Sequence, residues 1–256
     1  MNAPYYYMLV FDGTSSFSVD FTKYECKGKN LLFLSPYQFL KWHYSSTSCV
    51  DMLQFHGDFY CIEYHKKEVA CNGILFNNIY QQPYVPVKET VYEEIKEILE
   101  KMQNLNKSEL NGDISVVRSY LQLILALSSK EKQQQAPPVM EGSLQNQNML
   151  DFQSVLDGYF LESKEVAFYA SKFGLSVNTF SKKIKKHFGK PPSKLVRERV
   201  VLEAKKLLHL TFKSIKEIAS ELNFEDEFYF SRYFKKEVGV SPKKFREEVG
   251  ISIAAK

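Results

Sequence analysis

The 256-residue sequence predicts a multidomain protein of mixed α and β class, in which a β-barrel or jelly-roll domain with two helices precedes an all-helical domain. Two observations predict this order. Short runs of Val, Phe, Tyr and Leu broken by turn residues fill residues 1–86, whereas apolar residues recur at helical spacing in most of the chain that follows. A polar segment rich in Gln, residues 130–148, interrupts the helical part. The predicted domains are therefore residues 1–129 and 149–256, joined by a linker over residues 130–148.

The amino-terminal domain is predicted to contain many short β-strands. Its clearest apolar runs are Tyr6–Phe11, Phe17–Phe21, Leu31–Leu34 and Met52–Phe55. Turn residues separate them at Asp12-Gly13, at residues 27–30 and at Ser35-Pro36, where glycine allows a positive φ and proline fixes φ. Strands of this length and spacing are typical of a barrel or a double-sheet jelly roll.

Two helices are predicted at the end of this domain, within residues 87–129. The first has apolar residues at alternating steps of four and three, namely Val91, Ile95, Ile98, Met102 and Leu105. The second has Ile114, Val117, Leu121 and Ile124 on one face. The stripe of the first helix resembles a coiled-coil seam but is short. The pattern leaves two alternatives open, packing against the parent domain and packing against a second copy of the chain.

The carboxy-terminal domain is predicted to contain about seven helical segments and an internal repeat. The segments are Phe152–Phe160, Glu165–Phe173, Val177–Phe188, Pro192–Leu208, Ile215–Leu222, Asp226–Val238 and a final turn from Pro242. The stretch from Phe180 to Leu195 matches the stretch from Phe230 to Phe245, fifty positions later. Seven pairs are identical: Phe180/Phe230, Ser181/Ser231, Lys185/Lys235, Lys186/Lys236, Gly189/Gly239, Pro192/Pro242 and Lys194/Lys244. A period of this length indicates a repeated supersecondary unit.

Each copy of the repeat has the pattern of a helix-turn-helix. In the first copy a short helix ends at Gly174 and Ser176 caps the next helix. In the second copy Asn223 takes the place of the glycine, and Asp226 provides the cap. The inward residues of the second helices are Phe180, Ile184 and Phe188 in one copy and Phe230, Phe234 and Val238 in the other. A long helix from Lys194 to Leu208 joins the two copies. If the second helices of both copies enter the same face of a DNA duplex, their separation should match one turn, about 34 Å.

The charge of the chain is unevenly distributed. Residues 149–256 contain 21 Lys and Arg against 14 Asp and Glu, a net charge of +7, whereas residues 1–148 carry 13 against 16, a net charge of −3. A basic excess in a helical domain favours contact with phosphate groups. Lys182 and Arg232 occupy equivalent positions on the outward faces of the two copies, which favours DNA contact over a merely solvated surface.

Residues 149–246 resemble the DNA-binding domain of AraC/XylS-type bacterial transcription regulators, which has two helix-turn-helix motifs joined by a linker helix. The stretch that carries the resemblance is IKEIASELNFEDEFYFSRYFKKEVGVSPKKFR, from Ile215 to Arg246. The resemblance implies base contacts at six positions: Asn178, Ser181, Lys182, Glu227, Phe228 and Arg232. Two departures stand out, Asn223 where the family usually has Gly and Val200 where a basic residue is common. The second departure puts a contact from the linker helix in doubt.

Side-chain chemistry gives these positions expected roles. Arg and Lys suit guanine, and Asn178 either bonds to adenine or supports its helix cap. Glu227 either accepts from cytosine or repels phosphate, and Phe228 either packs or contacts a thymine methyl. Five lysines are predicted to contact phosphate, which positions a protein without reading sequence, namely Lys185, Lys194, Lys235, Lys243 and Lys244.

The amino-terminal half resembles the cupin-like effector and dimerisation domain of the same regulators, through LLFLSPYQFLKWH from Leu31 to His43. His43, His56 and His65 form no H-x-H pair, so neither a metal nor another cofactor is predicted. The aromatic residues line an apolar ligand pocket or form an ordinary core, and both interpretations stay open. They are Tyr5, Tyr6, Tyr7, Phe11, Phe33, Tyr37, Trp42 and Tyr44.

The cysteines predict a reducing compartment. Cys26, Cys49, Cys61 and Cys71 form no C-x-x-C pair, which argues against a zinc cage. No signal peptide is recognised, and no apolar run approaches the roughly 20 residues that span a membrane. The expectation is a cytoplasmic protein with reduced thiols and no membrane partner.

The leading hypothesis is a sequence-specific DNA-binding transcription regulator that is not an enzyme. Its expected partners are double-stranded DNA, a second copy of the chain, RNA polymerase and a small-molecule effector held in the barrel. Two alternatives are kept: a cupin-fold enzyme with a helical appendage, and a DNA-binding regulator whose barrel only dimerises.

Overall fold

The computed structural model describes residues 4–20, 22–46, 49–60, 74–76, 79–106, 114–135 and 144–251, with the backbone alone for residues 144–151. The chain divides into two compact units. The first is built from residues on the amino-terminal side of Ala136, and the second from residues after it together with the short segment Ile79–Gln81. No helix among these residues is long and apolar enough to cross a membrane.

Seven strands of the described residues form two antiparallel sheets in the first unit. The strands are β1 (Tyr5–Asp12), β2 (Ser15–Val19), β3 (Thr22–Cys26), β4 (Lys29–Leu34), β5 (Leu40–Ser45), β6 (Val50–His56) and β7 (Tyr84–Pro86). One sheet has the order β6-β1-β4-β7 and the other the order β3-β2-β5. This arrangement confirms the predicted double-sheet architecture.

The larger sheet is buried on both faces because its central strands are apolar over most of their length, from Tyr6 to Phe11 in β1 and from Leu31 to Leu34 in β4. Alternate residues of a strand point to opposite faces. Tyr6, Met8 and Val10 of β1 therefore join a cluster that includes the helices of this unit. Leu9 and Phe11 face the smaller sheet, where they pack with residues of β2 and β5. The run Tyr6–Phe11 predicted this strand, and its lack of polar alternation is explained by this double burial.

The predicted strand Phe17–Phe21 is too long. Strand β2 ends at Val19, and Asp20 takes a positive φ of 47°. The carboxylate of Asp20 accepts hydrogen bonds from the Phe39 backbone N–H and from the Gln38 side chain, both at 2.9 Å. The chain therefore reverses at Asp20, whereas Phe21 lies outside the described residues.

Two helices, α1 (Glu89–Asn106) and α2 (Ile114–Gln134), cover the outer face of the larger sheet. The buried stripe of α1, with Ile95, Ile98 and Met102, packs into the sheet core rather than against a second copy. Of the two alternatives for this stripe, packing against the parent domain is the one observed. On the predicted face of α2, Leu121 and Ile124 are buried and Val117 is half-buried, whereas Ile114 begins the helix and is 62% exposed.

The segment 130–148 is more helical than predicted. Helix α2 continues to Gln134, and α3 (Leu144–Tyr159) begins inside the predicted linker. The polar end of α2 is ordered by bonds to backbone: Ser128 and Ser129 donate to carbonyls one turn earlier at 2.7 Å, and Lys132 Nζ donates to the Gln82 carbonyl at 2.9 Å. Composition alone therefore underestimated its order. Residues 136–143 lie outside the described part of the chain.

The described part of the second unit contains seven helices, as predicted. After α3 come α4 (Val166–Lys172), α5 (Val177–Phe188), α6 (Pro192–Leu210), α7 (Ile215–Glu221), α8 (Glu227–Val238) and α9 (Pro242–Val249). Helices α4 and α5 form the first helix-turn-helix motif, and α7 and α8 form the second. Helix α6 joins them. We call α5 and α8 the outer helices.

The two turns are closed by the same hydrogen bonds. Gly174 and Asn223 have φ angles of 62° and 54°, in the left-handed region where both residue types were predicted. The backbone N–H of Gly174 donates to the carbonyl oxygen of Ser171, and that of Asn223 donates to the carbonyl oxygen of Ser220, both at 3.0 Å. The next backbone N–H groups, of Leu175 and Phe224, donate to the carbonyl oxygens of Ala170 and Ala219, at 3.0 and 2.9 Å. Residues 170–175 and 219–224, which lie forty-nine positions apart in the sequence, thus repeat the same backbone geometry.

Candidate nucleic-acid interface

The first outer helix, α5, is fixed by its cap and by its apolar face. The side chain of Ser176 accepts a hydrogen bond from the Thr179 backbone N–H at 3.3 Å, and Gly189 ends the helix with a φ of 70°. Phe180 and Ile184 are fully buried, while Phe188 is half-buried. The Phe180 ring lies 5.7 Å from Phe152 of α3, in an edge-on contact. These contacts turn the opposite face of α5 towards solvent.

The outward face of α5 carries the predicted contact residues at steps of three and four. Asn178, Lys182 and Lys185 are exposed, and Ser181 is half-buried. Among the residues described, neither lysine forms an ion pair within 4 Å. Val177, at the start of this helix, is 44% exposed although apolar, and sequence reasoning did not single it out.

The second outer helix, α8, is held in the same way. The Asp226 carboxylate accepts from the Tyr229 backbone N–H at 2.6 Å, and Gly239 ends the helix with a φ of 92°. Phe230 and Phe234 are fully buried, with ring centroids 5.9 Å apart. Their burial leaves the other face of α8 open to solvent.

The outward face of α8 differs in chemistry from that of α5. Arg232 and Lys235 are exposed and, in the described part of the chain, have no carboxylate partner within 4 Å, whereas Glu227 is half-buried. Phe228 is 69% exposed, so it does not pack into the core and is available to a partner. Tyr229 beside it is 49% exposed, and no sequence pattern distinguishes it as a contact residue. The sequence near a helix cap does not show whether an aromatic side chain there is exposed or buried.

The remaining predicted phosphate ligands lie on the helices that follow the outer ones. Lys194, on α6, is half-buried and lies 3.8 Å from Glu198. Lys243 and Lys244, on α9, are exposed and lie 3.9 and 3.6 Å from Glu247 and Glu248. These contacts join residues one helical turn apart and are weak when exposed. Lys243 and Lys244 therefore stay accessible to phosphate. Lys194 is the least accessible of the five predicted phosphate ligands.

Helix α6 holds the two motifs through its buried side. Val196, Val200, Ala204 and Leu208 are each at most 1% exposed and follow one another at helical spacing. Val200, the second departure noted in the sequence, therefore belongs to the core and cannot reach a ligand.

The first unit contains a cavity of about 510 Å³ at one end of the smaller sheet. Ser15, Asn30 and Tyr84 are among its lining residues, together with Thr14, Ser16, Glu25, Cys26, Lys27, Tyr44 and Pro86. The Asn30 side chain is fully buried and donates to two carbonyls, while its Oδ1 atom is also buried and has no donor among the described residues. Burial raises the pKa of the Cys26 thiol, which keeps it neutral.

Most of the aromatic residues predicted as a pocket or a core belong to the core. Tyr6, Tyr7, Phe11, Phe33 and Tyr37 are buried, whereas Tyr44 lines the cavity.

The described histidines of this unit have local partners. His43 Nε2 lies 3.2 Å from the Ser18 hydroxyl, and His56 Nδ1 lies 3.2 Å from the Asp58 carboxylate. No cluster of three or more His, Cys, Asp or Glu suited to a metal occurs in the described part of the chain. His65, Cys61 and Cys71 lie outside that part.

Comparison with known proteins identifies one matching family. A family model described as a helix-turn-helix domain matches residues 169–248. The HTH-type transcriptional activator RhaS of Enterobacter sp. (strain 638) is 24% identical over 163 residues, which are 63% of this chain and 56% of the relative. RhaS of Escherichia fergusonii is 23% identical over 166 residues, with the same two coverages. The chain thus spans just over half the length of these curated relatives.

Two solved structures are also similar. The carboxy-terminal domain of the two-component response regulator yesN from Fusobacterium nucleatum is 31% identical, with a TM-score of 0.37, and the match covers 40% of this chain and 98% of that domain. ToxT from Vibrio cholerae is 15% identical, with a TM-score of 0.41, and the match covers 98% of this chain and 92% of that protein.

Proposed function

The chain belongs to the AraC-type helix-turn-helix proteins through its carboxy-terminal domain, and from this premise we propose that it is a sequence-specific transcription regulator. In this proposal the outer helices α5 and α8 enter adjacent segments of the major groove of double-stranded DNA. In this proposal the regulatory domain ends after α2 and the DNA-binding domain begins with α3. A protein that binds the bacterial chromosome works in the cytoplasm.

The observation that carries this proposal is the pairing of exposed cations on two repeated scaffolds. Lys182 and Lys185 on α5, and Arg232 and Lys235 on α8, are exposed on the face opposite the buried aromatic core. Because no acidic side chain of the described residues lies within ion-pair distance of them, their charge is available to phosphate and bases. No observation on the described residues favours the cupin-fold enzyme over a regulator.

Salt dependence tests the phosphate part of this proposal. Each phosphate contact releases condensed counterions, so the affinity should fall steeply between 50 and 200 mM salt. Lys235→Ala should weaken binding about equally on all sequences and reduce the slope of log K against log salt concentration by about one. The control is Lys23→Ala, which removes an exposed lysine of β3 in the first unit. A slope that is unchanged by Lys235→Ala, or changed equally by Lys23→Ala, would contradict the contact.

We propose further that the cavity in the first unit binds the effector. The polar rim and the Tyr44 and Tyr84 rings suit a compact polar ligand with one apolar side. Dimerisation and contact with RNA polymerase complete the proposed activity, and a barrel that only dimerises is the remaining alternative.

Thermal-shift screening with small polyols and amines separates these two roles of the barrel. A ligand at a hundred times its Kd stabilises the native state by about 2.7 kcal/mol and raises the Tm of the first unit. Ser16→Phe, which fills the rim of the cavity, should abolish the shift without unfolding the unit, because Ser16 is half-buried at the cavity edge. A shift that survives in this variant would place the ligand elsewhere, and a screen without any shift would favour the dimerisation role.

A further inference from the structure

The segment that precedes α4 contacts the turn of the other helix-turn-helix motif. Lys164 Nζ donates hydrogen bonds to the carbonyl oxygens of Leu222 and Asn223, at 3.0 and 2.9 Å. In the opposite direction, the side chain of Asn223 donates through Nδ2 to the carbonyl oxygen of Leu161 at 3.1 Å. Three hydrogen bonds thus join residues that are about sixty positions apart in the sequence. The contact connects the start of the first motif to the bend between α7 and α8.

Lys164 is well suited to hold the end of α7. The last carbonyl groups of a helix have no partners within it and carry partial negative charge, so they favour a cation that also donates. The lysine is half-buried, with Nζ 4.4 Å from the centroid of the Phe224 ring. Burial lowers the pKa of Lys164. The ammonium group is therefore removed from much of its water and is solvated by two carbonyls and an aromatic face.

The corresponding lysine of the second motif behaves differently. With the offset of forty-nine residues, Lys164 corresponds to Lys213, which forms an ion pair with Glu221 of its own motif. Lys164 instead reaches across to the other motif. This difference is not required by the repeated fold, because both motifs close their turns with the same backbone bonds.

Asn223 adds a second difference between the copies. Its φ of 54° is a conformation in which glycine is unstrained, and glycine is the residue at the equivalent position 174. A glycine at position 223 would satisfy the backbone but could not donate to Leu161. The side chain of Asn223 thus has a contact that explains why an amide residue stands in this turn.

We propose that Lys164 and Asn223 form a clamp that positions the second outer helix relative to the first motif. The carboxyl end of α8 is held separately, because Glu237 lies 3.3 Å from Arg197 of α6. The clamp holds the other end, where the chain enters α8. Lys164 and Asn223 are therefore positioning residues that restrict which separation between two half-elements of DNA the protein accepts. This inference rests on the proposed DNA-binding function.

The DNA test uses the full chain and an operator selected by it from random sequence. One base pair is then inserted or removed between the two half-elements, which rotates one element by about 34–36° relative to the other. The unmodified chain should lose affinity by at least about tenfold on each altered operator, as for a mismatch in a specific site. Lys164→Met and Asn223→Gly should bind the selected operator but lose much less affinity on the altered ones. Lys172→Met is the matched control, because Lys172 also lies over aromatic rings, those of Tyr159 in α3 and Phe168 in α4.

Hydrogen exchange without DNA tests the clamp itself. The amides of Asn223 and Phe224, which donate to Ser220 and Ala219, should exchange faster in Lys164→Met than in Lys172→Met. Unchanged exchange would overturn the clamp. If Lys164→Met exchanged faster but lost as much affinity on the operators of altered spacing as Lys172→Met does, the clamp would exist but would not position the second outer helix. If the unmodified chain selected no sequence at all, the proposed DNA-binding function would be wrong, while the exchange rates would still decide whether the clamp holds the turn.

Discussion

Phe230→Ala is expected to lower the free energy of unfolding of the carboxy-terminal unit by about 3–5 kcal/mol. Phe230 is fully buried, and its ring contacts Phe224 and Phe234 with centroids 5.2 and 5.9 Å away. Truncation removes the apolar area of the ring and leaves a cavity that the neighbouring rings fill only in part. Because natural domains are stable by only about 5–15 kcal/mol, much of the stability of this unit should be lost.

The matched control for this prediction lies on the same helix. Phe228→Ala makes the same chemical change at a side chain that is 69% exposed, and its effect on unfolding should stay within about 0.5 kcal/mol. Denaturant titration followed by far-UV circular dichroism measures both variants. Equal destabilisation by the two substitutions would mean that α8 turns a different face towards the core.

Arg232→Ala is expected to remove discrimination at particular base positions while the fold is retained. Arg232 is exposed on the outward face of α8, and bidentate bonding of a guanidinium to guanine contributes about 1–3 kcal/mol of discrimination. Lys235, one turn further along the same face, is the comparison residue, because a phosphate contact carries no sequence information. Lys235→Ala should therefore lower affinity on every sequence alike.

The measurement is the affinity of each variant for the selected operator and for all its single-base variants. Arg232→Ala should flatten the preference at one or two adjacent positions and leave the others intact. A loss that is equal at all positions would assign Arg232 to the phosphate backbone instead.

The carboxy-terminal fold was predictable because its signals are local. Gly174 and Asn223 were predicted at positive φ, and Ser176 and Asp226 were predicted as caps, since each depends on residues within one helical turn. The apolar spacing that includes Phe180 and Phe230 predicted the buried faces for the same reason. Repetition of these signals fifty residues apart made the prediction of two motifs secure.

Features that depend on distant residues could not be predicted. Lys164 contacts Leu222 and Asn223, which lie almost sixty positions away, and no pattern in the sequence marks such a pair. The burial of Lys132 depends on a carbonyl of Gln82, and composition therefore placed the end of α2 in a linker. The sequence does not decide whether the Phe228 ring packs in the core or lies in solvent, because the two alternatives differ only in the neighbours that surround the ring.

The central claim is that the outer helices read two different segments of one DNA site. The most direct test is selection from random DNA by the full chain and by the variants Lys182→Ala and Arg232→Ala, which alter α5 and α8 separately. Each variant should relax a different set of base positions, and the two sets should lie about 10 base pairs apart, one helical turn of the duplex. Relaxation of the same positions by both variants, or equal weakening on all sequences, would contradict it.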